Sequence, residues 1–140
     1  MKYLYHIITF QEAHQMNTPE LKHVLVIDDN IMLLRTVKDM LRENYSVSIS
    51  VSSYQAFDAI KIKKPDVILL DYEMPMIDGA ETIKKLREHE ESKDIPVIFF
   101  TSSAKSETVT MLIKLNPAGY ILKPPNKQKL IEQIEKALAK

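Results

Sequence analysis

Pro65–Leu86 reads PDVILLDYEMPMIDGAETIKKL, and one succession accounts for it: strand, loop, helix. After Pro65, the run Asp66–Leu70 is almost continuously apolar, β-branched at Val67 and Ile68, and stops at Asp71. A run without polar alternation suits a strand covered on both faces, as in parallel sheets. Downstream, Asp78 followed three residues later by Glu81 has the pattern of a helix cap. Ala80, Ile83 and Leu86 then recur at helical spacing. A doubly covered strand feeding a helix is the repeating unit of an α/β domain.

The same unit recurs on both sides. His23–Ile27 is a second covered strand, ending at Asp28-Asp29, and Ile31–Glu43 carries a stripe of Ile31, Leu34, Val37, Met40 and Leu41. Val47–Val51 alternates strictly, as an edge strand does, and Ser52 with Gln55 caps a helix bearing Ala56, Phe57, Ala59 and Ile60. Pro96–Phe100 is a further strand, ending at Thr101, and a weaker helix follows with Val109, Leu112 and Ile113. Ala118–Leu122 leads to Lys123, and Leu130, Ile131, Ile134, Ala137 and Leu138 line the last helix. Five strands alternating with five helices predict a doubly wound parallel sheet. Right-handed crossovers and a polar second strand favour the strand order 2-1-3-4-5.

The chain has 140 residues, 45% of them apolar and 27% charged, which is one globular domain with a real core and excludes a disordered or collagen-like chain. No stretch approaches the roughly 20 apolar residues that span a bilayer. Nineteen basic residues balance nineteen acidic ones, so neither nucleic acid nor a membrane surface is favoured as a partner. With no cysteine there is no disulfide framework, thiolate zinc site or thiol catalysis, and a reducing cytoplasm is the expected location. Two glycines argue against a glycine-rich nucleotide loop. Residues 1–20 stand apart as an N-terminal extension. They are expected to be a loose tail or an upstream extension before a start at Met16, or else an extra strand or partner-docking segment built on Tyr3, Leu4, Ile7, Ile8 and Phe10, and residues 21–140 are expected to form the domain.

In an open parallel sheet, ligands bind beyond the carboxyl ends of the strands. Four of the predicted strands end there in Asp28-Asp29, Asp71, Thr101 and Lys123. Each alone has an ordinary role, such as Asp29 or Asn30 capping the first helix. Together they form a pattern. Two carboxylates about 4 Å apart repel by roughly 4 kcal/mol at an effective dielectric near 20, so three of them call for a cation. Oxygen-only ligands suit magnesium better than zinc. A cation, an ammonium and a hydroxyl around one carboxylate make a cradle for a phosphoryl group carried on that carboxylate.

Four segments in this order and spacing, covering residues 22–140, resemble the receiver domain of two-component response regulators in its stand-alone, chemotaxis-regulator-like form. They are Val26-Ile-Asp-Asp-Asn30, Asp66 through Gly79, Pro96-Val-Ile-Phe-Phe-Thr-Ser102 and Ala118-Gly-Tyr-Ile-Leu-Lys-Pro124. The resemblance implies a flavodoxin-like fold with Asp71 as phospho-acceptor. It implies an Mg2+ site from Asp28, Asp29, Asp71 and the backbone carbonyl of Glu73. It implies Thr101 and Lys123 on phosphoryl oxygens, Tyr120 as an aromatic switch and a cis Lys123-Pro124 bond. Glu73 and Ser103 occupy positions through which the family tunes dephosphorylation.

The implied partners are a histidine kinase or histidine phosphotransfer protein and a downstream target protein, with the chain a monomer or a phosphorylation-dependent dimer. No DNA-binding or enzymatic module follows Lys140, so output by protein contact is expected, and no enzymatic activity beyond the chain's own phosphorylation and dephosphorylation. Two rival readings are a magnesium phosphohydrolase working through an aspartyl phosphate, and a receiver-shaped binding module that never takes phosphate.

Overall fold

The computed structural model describes residues 20–140; the N-terminal extension, but for Glu20, lies outside the described residues. Strands β1 (His23–Ile27), β2 (Ser46–Ser50), β3 (Val67–Asp71), β4 (Val97–Thr101) and β5 (Gly119–Leu122) alternate with helices α1 (Ile31–Leu41), α2 (Ser53–Ile62), α3 (Gly79–Glu88), α4 (Ser106–Lys114) and α5 (Lys127–Leu138). All the strands run parallel, in the order β2-β1-β3-β4-β5. This is the flavodoxin-like topology expected, and the connection from β2 to β3 reverses the direction of winding, which sets the switch point between β1 and β3.

The apolar runs behave as parallel-sheet strands must. Every residue of β1, β3 and β4 is buried. Successive side chains take opposite faces. Val24, Val26, Val67, Leu69, Ile98 and Phe100 meet Leu34, Val37 and Leu41 of α1 and Leu130, Ile134 and Ala137 of α5. Leu25, Ile27, Ile68, Leu70, Val97 and Phe99 meet Ala56 and Ile60 of α2, Ile83 and Leu86 of α3, and Leu112 of α4. A fully buried side chain of this size contributes about 1.5–3 kcal/mol, so two such layers are ample to fix the sheet. The outer strand β2 alternates serine with Val47 and Ile49 and is only half-buried over most of its length.

Some stripes are narrower than their periodicity suggests. Ile31 is 49% exposed, and Met40 is half-buried. Of Val109, Leu112 and Ile113 only Leu112 is buried. Helix α1 stops at Leu41 rather than Glu43, because the chain turns and the N–H groups of Asn44 and Tyr45 fold back onto the Leu41 carbonyl. Among the described residues no helix is long and apolar enough to cross a membrane.

Candidate functional site

The carboxyl ends of β1, β3, β4 and β5 share one rim of the sheet. Asp28 directly follows β1, Asp71 ends β3, Thr101 ends β4 and Lys123 directly follows β5. Register sets Asp71 beside Phe100 and Thr101 beside Leu122. The ladder continues past the strands: Lys123 donates its N–H to the Thr101 carbonyl at 2.8 Å, and Asp28 donates to that of Ser50 at 3.1 Å.

Asp28 and Asp71 are each only 2% exposed, and one ammonium serves both. Lys123 Nζ lies 2.8 Å from Asp28 Oδ2 and 3.3 Å from Asp71 Oδ1. It also stands 5.4 Å from the centre of the Phe100 ring, a favourable cation–π distance. Backbone donors orient the carboxylates: Asn30 N–H to Asp28 Oδ1 at 2.9 Å, and Glu73 N–H to Asp71 Oδ1 at 3.1 Å. The Asn30 side chain caps α1 by accepting from Met32 and Leu33. The capping duty thus falls to Asn30, and neither aspartate is spent on it.

Burial, and after it the charge of Asp28, push the Asp71 carboxyl from 3.8 up to about 6. Lys123 and the Glu73 N–H pull the other way without cancelling the effect. For Lys123, burial alone would lower the pKa, but the two carboxylates outweigh it and the pKa is raised. The ammonium therefore stays charged, and Asp71 carries the electrostatic cost of the arrangement.

Carboxylate oxygens of Asp28, Asp29 and Asp71 come within 4.8 Å of one another, with Asp29 the exposed member. Apart from its ion pair with Lys123, the buried Oδ2 of Asp28 has no hydrogen-bond partner. Three carboxylates, two of them paired with one ammonium, leave a net negative group of hard oxygens. That donor set fits a magnesium-like cation and not a soft metal.

The remaining predicted residues fall around this centre. Thr101 is fully buried, and its Oγ1 accepts the Ser103 N–H at 3.1 Å. Tyr120 lies on β5 with 38% of its surface exposed, so its ring faces out. The Glu73 side chain is exposed and lies outside the three-carboxylate group. The Lys123-Pro124 bond is cis.

Two supporting residues acquire a role only from the structure. Asn30, one of two candidate caps by sequence, also aims Asp28 through its N–H. Gly79, the passage from loop to helix, is buried where a Cβ would stand 2.7 Å from Tyr72 Cα and 2.8 Å from the Asp71 carbonyl oxygen. Both neighbours are backbone and cannot swing aside. Gly79→Ala is therefore expected to cost about 1–3 kcal/mol of stability as the Asp71–Tyr72 segment is displaced. Urea unfolding checks this, and an unchanged midpoint would show that the close approach is not required.

Comparison with known proteins agrees with this geometry. The model of the response regulator receiver domain matches residues 24–135. The chain is 36% identical over 123 residues to a protein-glutamate methylesterase/protein-glutamine glutaminase of Trichodesmium erythraeum, covering 82% of this chain and 34% of that protein. It thus spans about a third of the length of that relative. The polar-differentiation response regulator DivK of Brucella ovis is 30% identical over 118 residues, covering 84% of this chain and 96% of DivK. Among solved structures, chemotaxis protein CheY4 of Vibrio cholerae superposes with a TM-score of 0.78 at 25% identity, covering 84% of this chain and 99% of that one. On the family match, the DivK likeness and the shared fold together, the chain belongs to the receiver domains of two-component response regulators.

Proposed function

We propose that this chain works in a phosphorelay, taking a phosphoryl group onto Asp71 from the phosphohistidine of a histidine kinase or histidine phosphotransfer protein. The modified form then signals by contact with a downstream target protein. The observation that carries this reading is the buried Asp71 carboxylate, grouped with Asp28 and Asp29 and tied to one ammonium.

A carboxylate oxygen of Asp71 attacks phosphorus, an O–P bond forms as the donor's N–P bond breaks, and the imidazole leaves with the bonding pair and is protonated by solvent. A pKa of about 6 leaves Asp71 mostly ionised at pH 7, as a nucleophile must be. Lys123 then pairs with one phosphoryl oxygen, and the Thr101 hydroxyl turns from its role as acceptor for Ser103 to donate to another. Asp28, Asp29, Asp71 and the Glu73 carbonyl would hold Mg2+, which when bound supplies charge neutralisation for the carboxylates and the phosphoryl oxygens.

Each new charge-assisted hydrogen bond is worth about 1.5–3 kcal/mol, whereas a complete switch of a two-state equilibrium needs about 5.5 kcal/mol. Phosphorylation therefore shifts the population part of the way, with Tyr120 turning inward, and a bound target completes the shift.

Acetyl phosphate with magnesium is expected to leave an acid-labile, hydroxylamine-sensitive label on the peptide containing Asp71. Chelating the cation should slow that labelling at least ~100-fold, because several kcal/mol of charge stabilisation is lost. Labelling indifferent to EDTA would remove the cation from the reading. Steady turnover of a small phosphomonoester would make the chain a phosphohydrolase instead.

A further inference from the structure

Helix α4 is held differently from its four companions. Asn30, Ser52, Asp78 and Asn126 each cap the start of their helix with a side-chain oxygen, whereas Lys105, at the start of α4, makes no such bond. Each of the other helices buries at least three residues. In α4 only Leu112 is buried, and Met111 and Ile113 beside it are exposed.

The C-terminal end of α4 is fastened from outside the helix. Arg87, in the last turn of α3, donates Nη1–H to the Leu115 carbonyl and Nη2–H to the Asn116 carbonyl, the second at 2.7 Å. Leu115 is the C-cap of α4, and Asn116 follows it in the left-handed region, with φ 53°. Carbonyls at a helix end lack intrahelical partners and carry partial negative charge. A planar fork of two donors matches two successive carbonyls, which a single ammonium does not. Arg87 lies eight positions along α3 from Gly79, about 12 Å at 1.5 Å per residue, so it is remote from the acidic rim.

The N-terminal end of α4 is tied to the rim by hydroxyl groups. Thr101 Oγ1 accepts the Ser103 N–H at 3.1 Å. Ser103 Oγ in turn accepts the Lys105 N–H at 3.3 Å and lies 3.2 Å from Thr108 Oγ1, in the first turn of the helix. These are neutral, long hydrogen bonds, weaker than charge-assisted ones.

We propose that Arg87 is a positioning residue of the switch: it anchors the C-terminal end of α4 to α3, so that a displacement of the Thr101 hydroxyl reaches the N-terminal turn and the helix pivots about its Arg87-held end. The pivot rests on the reading of Asp71 as phospho-acceptor, whereas the anchor stands without it. Ser103 is the link between the two, since it touches both the Thr101 hydroxyl and Thr108.

The test is hydrogen–deuterium exchange on the full chain, comparing wild type with Arg87→Met, which keeps the apolar stem and drops the fork, and with Arg87→Lys. Without any phosphodonor, amides 112–116 of Arg87→Met are expected to exchange about tenfold faster than in wild type, as for the loss of one charge-assisted hydrogen bond. Arg87→Lys should fall between the two. Exchange at Val24–Ile27, in the sheet centre, should stay unchanged, and labelling of Asp71 by acetyl phosphate should stay within about twofold of wild type.

When wild type is labelled, exchange should rise over residues 104–109 and stay level over 112–116; in Arg87→Met the rise should cover both. Equal exchange at 112–116 in wild type and Arg87→Met would overturn the anchor, as would a matching rise at Val24–Ile27. Loosening of labelled wild type from the C-terminal end would overturn the pivot. Wild type that takes no label would overturn the acceptor reading and the pivot with it, while the comparison made without donor still decides the anchor.

Discussion

Asp71→Asn is expected to take no acid-labile label from acetyl phosphate and magnesium while gaining stability at neutral pH in EDTA. The first effect follows because the amide oxygen is a poor nucleophile at phosphorus and carries no charge. The second follows from the sign of the pKa shift. Folding raises the Asp71 pKa from 3.8 to about 6, so between those values the native state binds more protons than the unfolded chain. The stability contributed by protonated Asp71 is present below pH 3.8 and lost as pH rises through about 6. A shift of about two units corresponds to at most roughly 3 kcal/mol, which the solvent above the rim reduces to about 1–2 kcal/mol. Asparagine is spared that loss. Its melting temperature at pH 7 should exceed wild type by about 3–6 °C, and the gap should close near pH 4. Stoichiometric labelling of Asp71→Asn, or a variant less stable than wild type at pH 7, would contradict the assignment.

Lys123→Met is expected to act in the opposite direction on stability and in the same direction on labelling. The ammonium is the shared partner of Asp28 and Asp71, so its loss leaves two buried carboxylates facing each other. Breaking a buried pair from one side is costly, and for this partly open site a loss of about 1–3 kcal/mol at pH 7 in EDTA is expected. Labelling should slow at least ~100-fold, the usual consequence of removing a donor aimed at developing negative charge. The pKa of Asp71 should climb further above 6, moving the pH profile of residual labelling to higher pH. Joining Asp71→Asn to Lys123→Met should recover part of the stability, since the two side chains interact directly. Unfolding curves and label incorporation against pH check these outcomes; a Lys123→Met protein as stable as wild type with an unshifted profile would refute the role given to the ammonium.

The centre of the fold is legible in the sequence because burial on both faces leaves no room for polar alternation: β1, β3 and β4 are buried at every position. The rim residues Asp28, Asp71, Thr101 and Lys123 are legible for a related reason, since each interrupts or directly follows an apolar run and topology alone brings such ends together. The amphipathic helices are less so. Periodicity says which side chains share a face but not how much of that face a neighbour covers, hence the exposure of Ile31 and Ile113. Arg87 looks like any basic residue in a last helical turn; its partners, Leu115 and Asn116, stand 28 and 29 positions away and become neighbours only on folding. Gly79 is visible as a loop boundary, but the backbone pressed against it is not.

The two flanking strands of the sheet differ from its centre: β5 has four residues against five in each of the others, and β2 places serine at alternate positions. A lateral flank with unpaired N–H and C=O groups can recruit strands from other molecules, and brevity is among the ways natural proteins blunt that hazard. Here the wholly buried strands stand in the middle, one margin alternates serine and the other is the shortest strand, so among the described residues the sheet's flanks make a poor template for fibrillar self-association.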